Sequence, residues 1–141
     1  MVEVFTYVGR LSIYIMKERN VNLLCQIRDL YRSIAEFESE FVKKHNLCLN
    51  EGMLLCTLSN VDKLSSGEIA EMLGLSNSNA SKVIRSVENK GLIKRELGNQ
   101  DKRQMNFLLT DEGLAVIKKI KTENIKTLLT QCHLEKFLTQ D

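Results

Sequence analysis

The chain has 141 residues, a formal net charge of +2, 43% hydrophobic and 27% charged residues. That is the balance of one globular domain and not of a disordered segment. It has no proline and 7 glycines, too few turn-formers for a small all-β sandwich or barrel, so the helix-rich classes lead. Apolar runs such as Met53-Leu54-Leu55-Cys56 fall far short of the ~20 residues a bilayer helix needs. Cys25, Cys48, Cys56 and Cys132 form no C-x-x-C pair. The N-terminus has no basic stretch ahead of its apolar part, so it reads as mature protein, and free thiols in a reducing cytoplasm are expected.

Residues 1–19 fit both helical spacing (Val4, Val8, Leu11, Ile15) and alternation (Val2, Val4, Thr6, Val8); helix is preferred because a strand has no nearby partner. From Asn22 to about Lys44, Leu23, Leu24, Ile27, Leu30, Tyr31, Ile34, Phe37 and Phe41 recur at steps of three and four, the stripe of a long amphipathic helix. A second helix is expected from Asn50 to about Leu58, with Asn50 as N-cap and Met53, Leu54 and Leu58 inward. Ser65 and Glu68 then form a capping box ahead of Ile69, Met72 and Leu73, because each side chain satisfies a backbone donor that the helix leaves orphaned. Gly74 ends that helix.

Ser76 caps the next helix, with Ala80, Val83, Ile84 and Val87 inward and Gly91 at its end. Residues 92–97 and 103–109, split by Gly98-Asn99-Gln100-Asp101-Lys102, read as a β-hairpin. Thr110 caps a final long helix, with Asp111 and Glu112 in its first turn and a stripe of Leu114, Ile117, Ile120, Ile125 and Leu128. A short tail helix follows around Leu134 to Leu138.

Two short helices joined by a tight Gly74-Leu75-Ser76 turn are a helix-turn-helix. The second presents Ser76, Asn77, Ser78, Asn79, Ser81, Lys82 and Arg85 outward, short polar and cationic groups suited to base edges and phosphates. Residues 74–110 carry seven cations (Lys82, Arg85, Lys90, Lys94, Arg95, Lys102, Arg103) against three anions (Glu88, Glu96, Asp101), a local +4. Residues 1–60 balance at seven of each. A basic patch on a near-neutral chain is the footprint of a nucleic-acid binder. The fold expected is mainly α with a small β-hairpin wing, a winged helix-turn-helix with N- and C-terminal helices. Nothing in the chain matches a nucleophile elbow, a P-loop or a carboxylate pair, so no enzyme and no cofactor is expected.

Residues 64–113 resemble the MarR family of bacterial transcriptional regulators. The likeness rests on Ile69-Ala70-Glu71-Met72-Leu73-Gly74-Leu75-Ser76, Ala80-Ser81-Lys82-Val83-Ile84-Arg85, Glu88, Lys90-Gly91-Leu92-Ile93, Arg95, the D-x-R wing Asp101-Lys102-Arg103, and the l-T-x-x-G run Leu109 to Gly113. The resemblance implies a homodimer binding near-palindromic double-stranded DNA in the cytoplasm. It implies dimerisation helices in 1–60 and 111–141 and a DNA-binding region in 61–110. Ser76, Asn77, Ser78, Asn79, Ser81, Lys82 and Arg85 are then the groove-facing set, with Lys94, Asp101, Lys102 and Arg103 on the wing. Arg103 enters the minor groove and Asp101 steadies it. A repressor modulated by a small-molecule effector is the expected mode.

Two other readings stand beside it. One is a winged-helix module for protein–protein contact, its basic surface incidental. The other is a thiol switch at Cys25, since some relatives sense peroxides near the N-terminus. Cys25 has Arg28 one turn on as its cationic neighbour, and an inert packed thiol is the simpler expectation. His45 and Cys48 stand three apart near Glu51, but the last long helix offers no histidine, so no metal is expected.

Overall fold

The structure, a computed structural model, describes residues 19–100, 103–123 and 125–138. The helix-or-strand question over the first residues lies outside these. The elements run α1 (Arg19–His45), α2 (Leu49–Asn60), β1 (Leu64–Ser65), α3 (Ser66–Leu73), α4 (Asn77–Asn89), β2 (Ile93–Leu97), β3 (Met105–Leu109), α5 (Asp111–Thr122), α6 (Ile125–Gln131) and α7 (Glu135–Leu138). They group into two compact units, one of residues 40–125 and one of the described residues up to 39 and from 126.

The larger unit is a winged lobe. Leu54, Leu55 and Leu58 of α2, Ile69 of α3, Ile84 and Val87 of α4, Phe107 of β3 and Ile117 of α5 form its buried core. Burying each such side chain contributes roughly 1.5–3 kcal/mol. The three strands lie in the order β1-β3-β2, antiparallel throughout. Ile93 faces Leu109 and Leu97 faces Met105 across the hairpin. The third strand was absent from the sequence reading: Leu64 and Ser65 pair with Phe107 and Asn106, and two residues carry no periodicity.

Three expectations are corrected. The cap of α2 is Cys48, not Asn50; the Cys48 backbone N–H donates to Glu51 Oε2 at 3.0 Å. Met53 is 45% exposed, and Leu55 takes the inward place beside Leu54. The final helix is broken, with Glu123 in extended backbone (φ −67°, ψ 145°) between α5 and α6. The apolar step from Ile120 to Ile125 is already off the three-or-four spacing that keeps one face aligned. The Glu123 carboxylate lies 3.2 Å from Lys44 Nζ and 3.4 Å from His45 Nε2, contacts that hold it out of helical register. Burial pushes the His45 pKa down, against the pull of Glu123, so Lys44 is the charged partner at neutral pH.

The smaller unit contains most of α1. Phe37 is buried, but Leu23, Leu24, Ile27 and Tyr31 are half to nearly three-quarters exposed, Tyr31 at 72%. The predicted stripe is therefore present as a helix face and largely open in the single chain. Leu128, Cys132 and Leu134 are buried in the same unit, and Thr130 Oγ1 donates to Glu135 Oε2 at 2.8 Å.

Candidate nucleic-acid interface

The helix-turn-helix is built by local capping. Ser65 N–H donates to Glu68 Oε2 at 2.7 Å and Glu68 N–H returns to Ser65 Oγ at 3.3 Å, the reciprocal box that starts α3. At its end Gly74 is left-handed (φ 65°), with Gly74 N–H on Glu71 O and Leu75 N–H on Ala70 O. A side chain there would be strained, which is why glycine makes this turn. Ala70 and Ala80 are almost fully buried, small enough to let α3 and α4 approach.

Ser76 caps α4, its hydroxyl accepting from Asn79 N–H at 3.2 Å. That side chain is occupied in holding the helix start. Asn77, Ser78, Asn79, Ser81, Lys82 and Arg85 are all exposed on α4, and Lys82 and Arg85 make no ion pair among the described residues. Ala80, Ile84 and Val87 are buried on the opposite face. One helix thus carries a packed side and an open polar side.

The basic count of the sequence is reduced in the structure, because two of the cations are structural. Arg95 Nε and Nη2 donate to the two Glu88 oxygens at 2.7 and 2.9 Å, a bidentate fork. The Arg95 guanidinium also lies 5.6 Å from the centre of the Phe107 ring. Lys90 Nζ donates to Glu51 Oε2 at 2.7 Å and to the Asn46 carbonyl at 2.8 Å. Glu51 also accepts from Ser86 Oγ. Burial alone pushes the Glu51 pKa up, but Lys90, Ser86 and the Cys48 amide together hold it below the usual carboxylate range. Sequence reasoning missed this role for Glu51; its only local trace is the Cys48-to-Glu51 capping spacing.

On the wing, Lys94 is exposed and stands across from Leu108. Lys63 reaches Glu96 at 3.5 Å. Gly98 N–H donates to Gln104 O at 2.8 Å, closing the base of the wing loop. Arg103 is exposed. Asp101 and Lys102 lie outside the described residues, and with them the expected Asp101–Arg103 contact.

The run Leu109 to Gly113 has a steric cause. Thr110 Oγ1 donates to Gly91 O at 2.7 Å and accepts from Gly113 N–H at 3.0 Å. Thr110 N–H donates to Leu92 O at 3.0 Å. A Cβ on Gly113 would sit 2.0 Å from that Leu92 oxygen. The start of α5 therefore presses directly on the end of the α4–β2 turn.

Around Cys25, the Arg28 guanidinium is engaged by Asp29 at 3.1 Å. Among the described residues no three His, Cys, Asp or Glu side chains gather as a metal site, and no helix is long and apolar enough to cross a membrane.

The sequence profile of the MarR family matches residues 47–105. A helix-turn-helix-type transcriptional regulator of Bacillus subtilis, YwaE, is 28% identical over 108 residues, or 74% of this chain. The chain spans 63% of that relative's length. Among solved structures, a mutant MarR from E. coli bound to operator DNA superposes with a TM-score of 0.71 at 18% identity, over 87% of this chain and 85% of that one. BpsR of Bordetella bronchiseptica, whose DNA binding is regulated by 6-hydroxynicotinic acid, gives 0.65 at 17% identity, over 83% and 79%. Capped helix-turn-helix and three-stranded wing fall where the profile matches: residues 47–105 are similar to the MarR family, and the fold is that of its solved members.

Proposed function

We propose that the chain is a sequence-specific, double-stranded DNA-binding transcriptional regulator that works as a homodimer. The observation that carries this is the open face of α4, where Lys82 and Arg85 stand without ion pairs among the described residues, beside Asn77, Ser78, Asn79 and Ser81. A helix with short polar groups at its N-terminal end and cations one turn on suits a major groove. Region 61–110 does the binding, with Lys94, Asp101, Lys102 and Arg103 as the wing's contribution. A narrow minor groove concentrates negative potential and favours an arginine there.

The helices of 1–60 and 111–141 supply the dimer, and the open α1 stripe is the support for it. Exposed apolar surface of this kind marks an interface. By analogy with BpsR, DNA binding responds to a small-molecule effector, and the chain acts as a cytoplasmic repressor. It needs no catalytic group for this work.

Selection of bound duplexes from a random pool tests the reading. It predicts a near-palindromic site with half-site centres about 10 base pairs, or a multiple, apart. Binding to that site falls steeply as salt rises, because phosphates are neutralised and counterions released. Enrichment of no sequence, with salt-insensitive retention of a protein partner instead, would make this a protein–protein module.

A further inference from the structure

Among the described residues Glu51 is the one charged side chain that is buried, 5% exposed on an otherwise apolar stretch of α2. Its partners come from three places. Cys48 N–H belongs to the start of α2, and Ser86 and Lys90 stand one turn apart at the C-terminal end of α4. Lys90 also holds the carbonyl of Asn46, the left-handed residue (φ 54°) that follows α1. One carboxylate and one ammonium thus tie the end of α1, the first turn of α2 and the far end of α4.

A buried ion pair of this kind is weak evidence for stability, because well-packed apolar side chains often do as well. What it does supply is direction. Glu51 accepts three bonds at set angles, whereas an apolar contact tolerates sliding. The exposed reading face begins at Asn77, at the other end of the same helix. At 1.5 Å rise per residue the lever from Ser86 to Asn77 is roughly 13 Å, so a tilt of ~5° at the clasp moves the tip by about 1 Å. Hydrogen bonds to base edges do not survive such a shift, since they weaken steeply outside their narrow distance range.

We propose that Glu51, through Ser86 and Lys90, is the positioning residue of the recognition helix: it sets how α4 is presented and so which bases are read, without touching DNA. This rests on the DNA-binding reading above.

The test uses the full-length chain. Glu51→Gln keeps the shape and removes the charge, Ser86→Ala removes one anchor, and Lys90→Met and Lys90→Arg separate charge from bulk. Each is titrated at fixed salt against the selected duplex, its single-base variants and an unrelated duplex, beside circular-dichroism melts. Glu51→Gln is expected to lower affinity for the selected duplex by about tenfold, the value of one lost bidentate contact. Discrimination at the positions read by α4 flattens. Affinity for the unrelated duplex changes less than about threefold and the salt slope is kept, because phosphate contacts carry both. Ser86→Ala moves the same way by less, and Lys90→Arg restores the discrimination that Lys90→Met loses. If Glu51→Gln does not fold, Ser86→Ala and the Lys90 pair decide the matter.

Parallel loss on specific and unrelated duplexes, or unaltered discrimination in these variants, overturns the proposal. A wild-type chain that prefers no duplex refutes the DNA-binding reading instead, and does so before any variant is made.

Discussion

The winged lobe and α1 treat their apolar residues in opposite ways. In the lobe, Leu54, Leu55, Ile69, Ile84, Val87 and Phe107 close on one another within a single chain. Along α1, Leu23, Leu24, Ile27 and Tyr31 follow the same helical rule but stay open. Apolar side chains thus make a finished core in one place and an unfinished face in the other. The difference lies in what each face meets. The lobe packs helices and a small sheet around its apolar residues, whereas Leu23, Leu24, Ile27 and Tyr31 find no such cover among the described residues.

The largest expected effect breaks the lobe. Gly113→Ala forces a Cβ to within 2.0 Å of the Leu92 oxygen, a backbone clash that cannot rotate away. A loss of about 3 kcal/mol or more is expected in chemical denaturation; a change under about 0.5 kcal/mol would mean α5 shifts freely. Next in size, Leu24→Asp with Ile27→Asp breaks the other side of the comparison. Each removes an apolar side chain worth roughly 1.5–3 kcal/mol when covered. Light scattering should then show monomer, with the lobe still folding cooperatively. A dimer that survives both changes would place the interface elsewhere.

Acid sharpens the account of the lobe. The folded-state pKa of Glu51 is depressed, so its contribution to stability is fully present above the ordinary carboxylate pKa and fades as pH falls through the lower folded value. Below about pH 4 wild type should lose stability faster than Glu51→Gln. Parallel acid melts would show the clasp contributes nothing. Smallest of all, Lys94→Ala should weaken binding to every duplex alike and reduce the salt slope by about one; a sequence-dependent effect would place Lys94 at a base edge.

How much could be read in advance follows from distance along the chain. The Ser65–Glu68 box and the Ser76 and Thr110 caps are bonds between a side chain and backbone within a few residues, and the Gly74 turn asks for a left-handed residue, so residue type and spacing reveal them. The hairpin is legible from the polar turn of residues 98–102 between two strand-like runs. The Glu51 clasp joins residues 35 and 39 positions apart, and no local pattern announces it. Arg95 and Lys90 enter the basic count of residues 74–110 because a sequence shows charge without its partners, which prove to be Glu88 and Glu51. The break at Glu123 had a faint signal in the five-residue apolar step, overridden by the stripe on either side.

The central claim is that α4 and the wing read DNA in different ways, and one binding measurement tests it. Wild type, Arg85→Ala and Arg103→Ala are titrated against the selected duplex and a panel of its single-base variants. Arg85→Ala should cost roughly 1–3 kcal/mol and relax preference at particular major-groove positions. Arg103→Ala should lower affinity while relaxing only the A·T preference of the flanks, since the minor groove distinguishes little else. If both variants bind every duplex as wild type does, α4 and the wing are not the reading surface and the account fails.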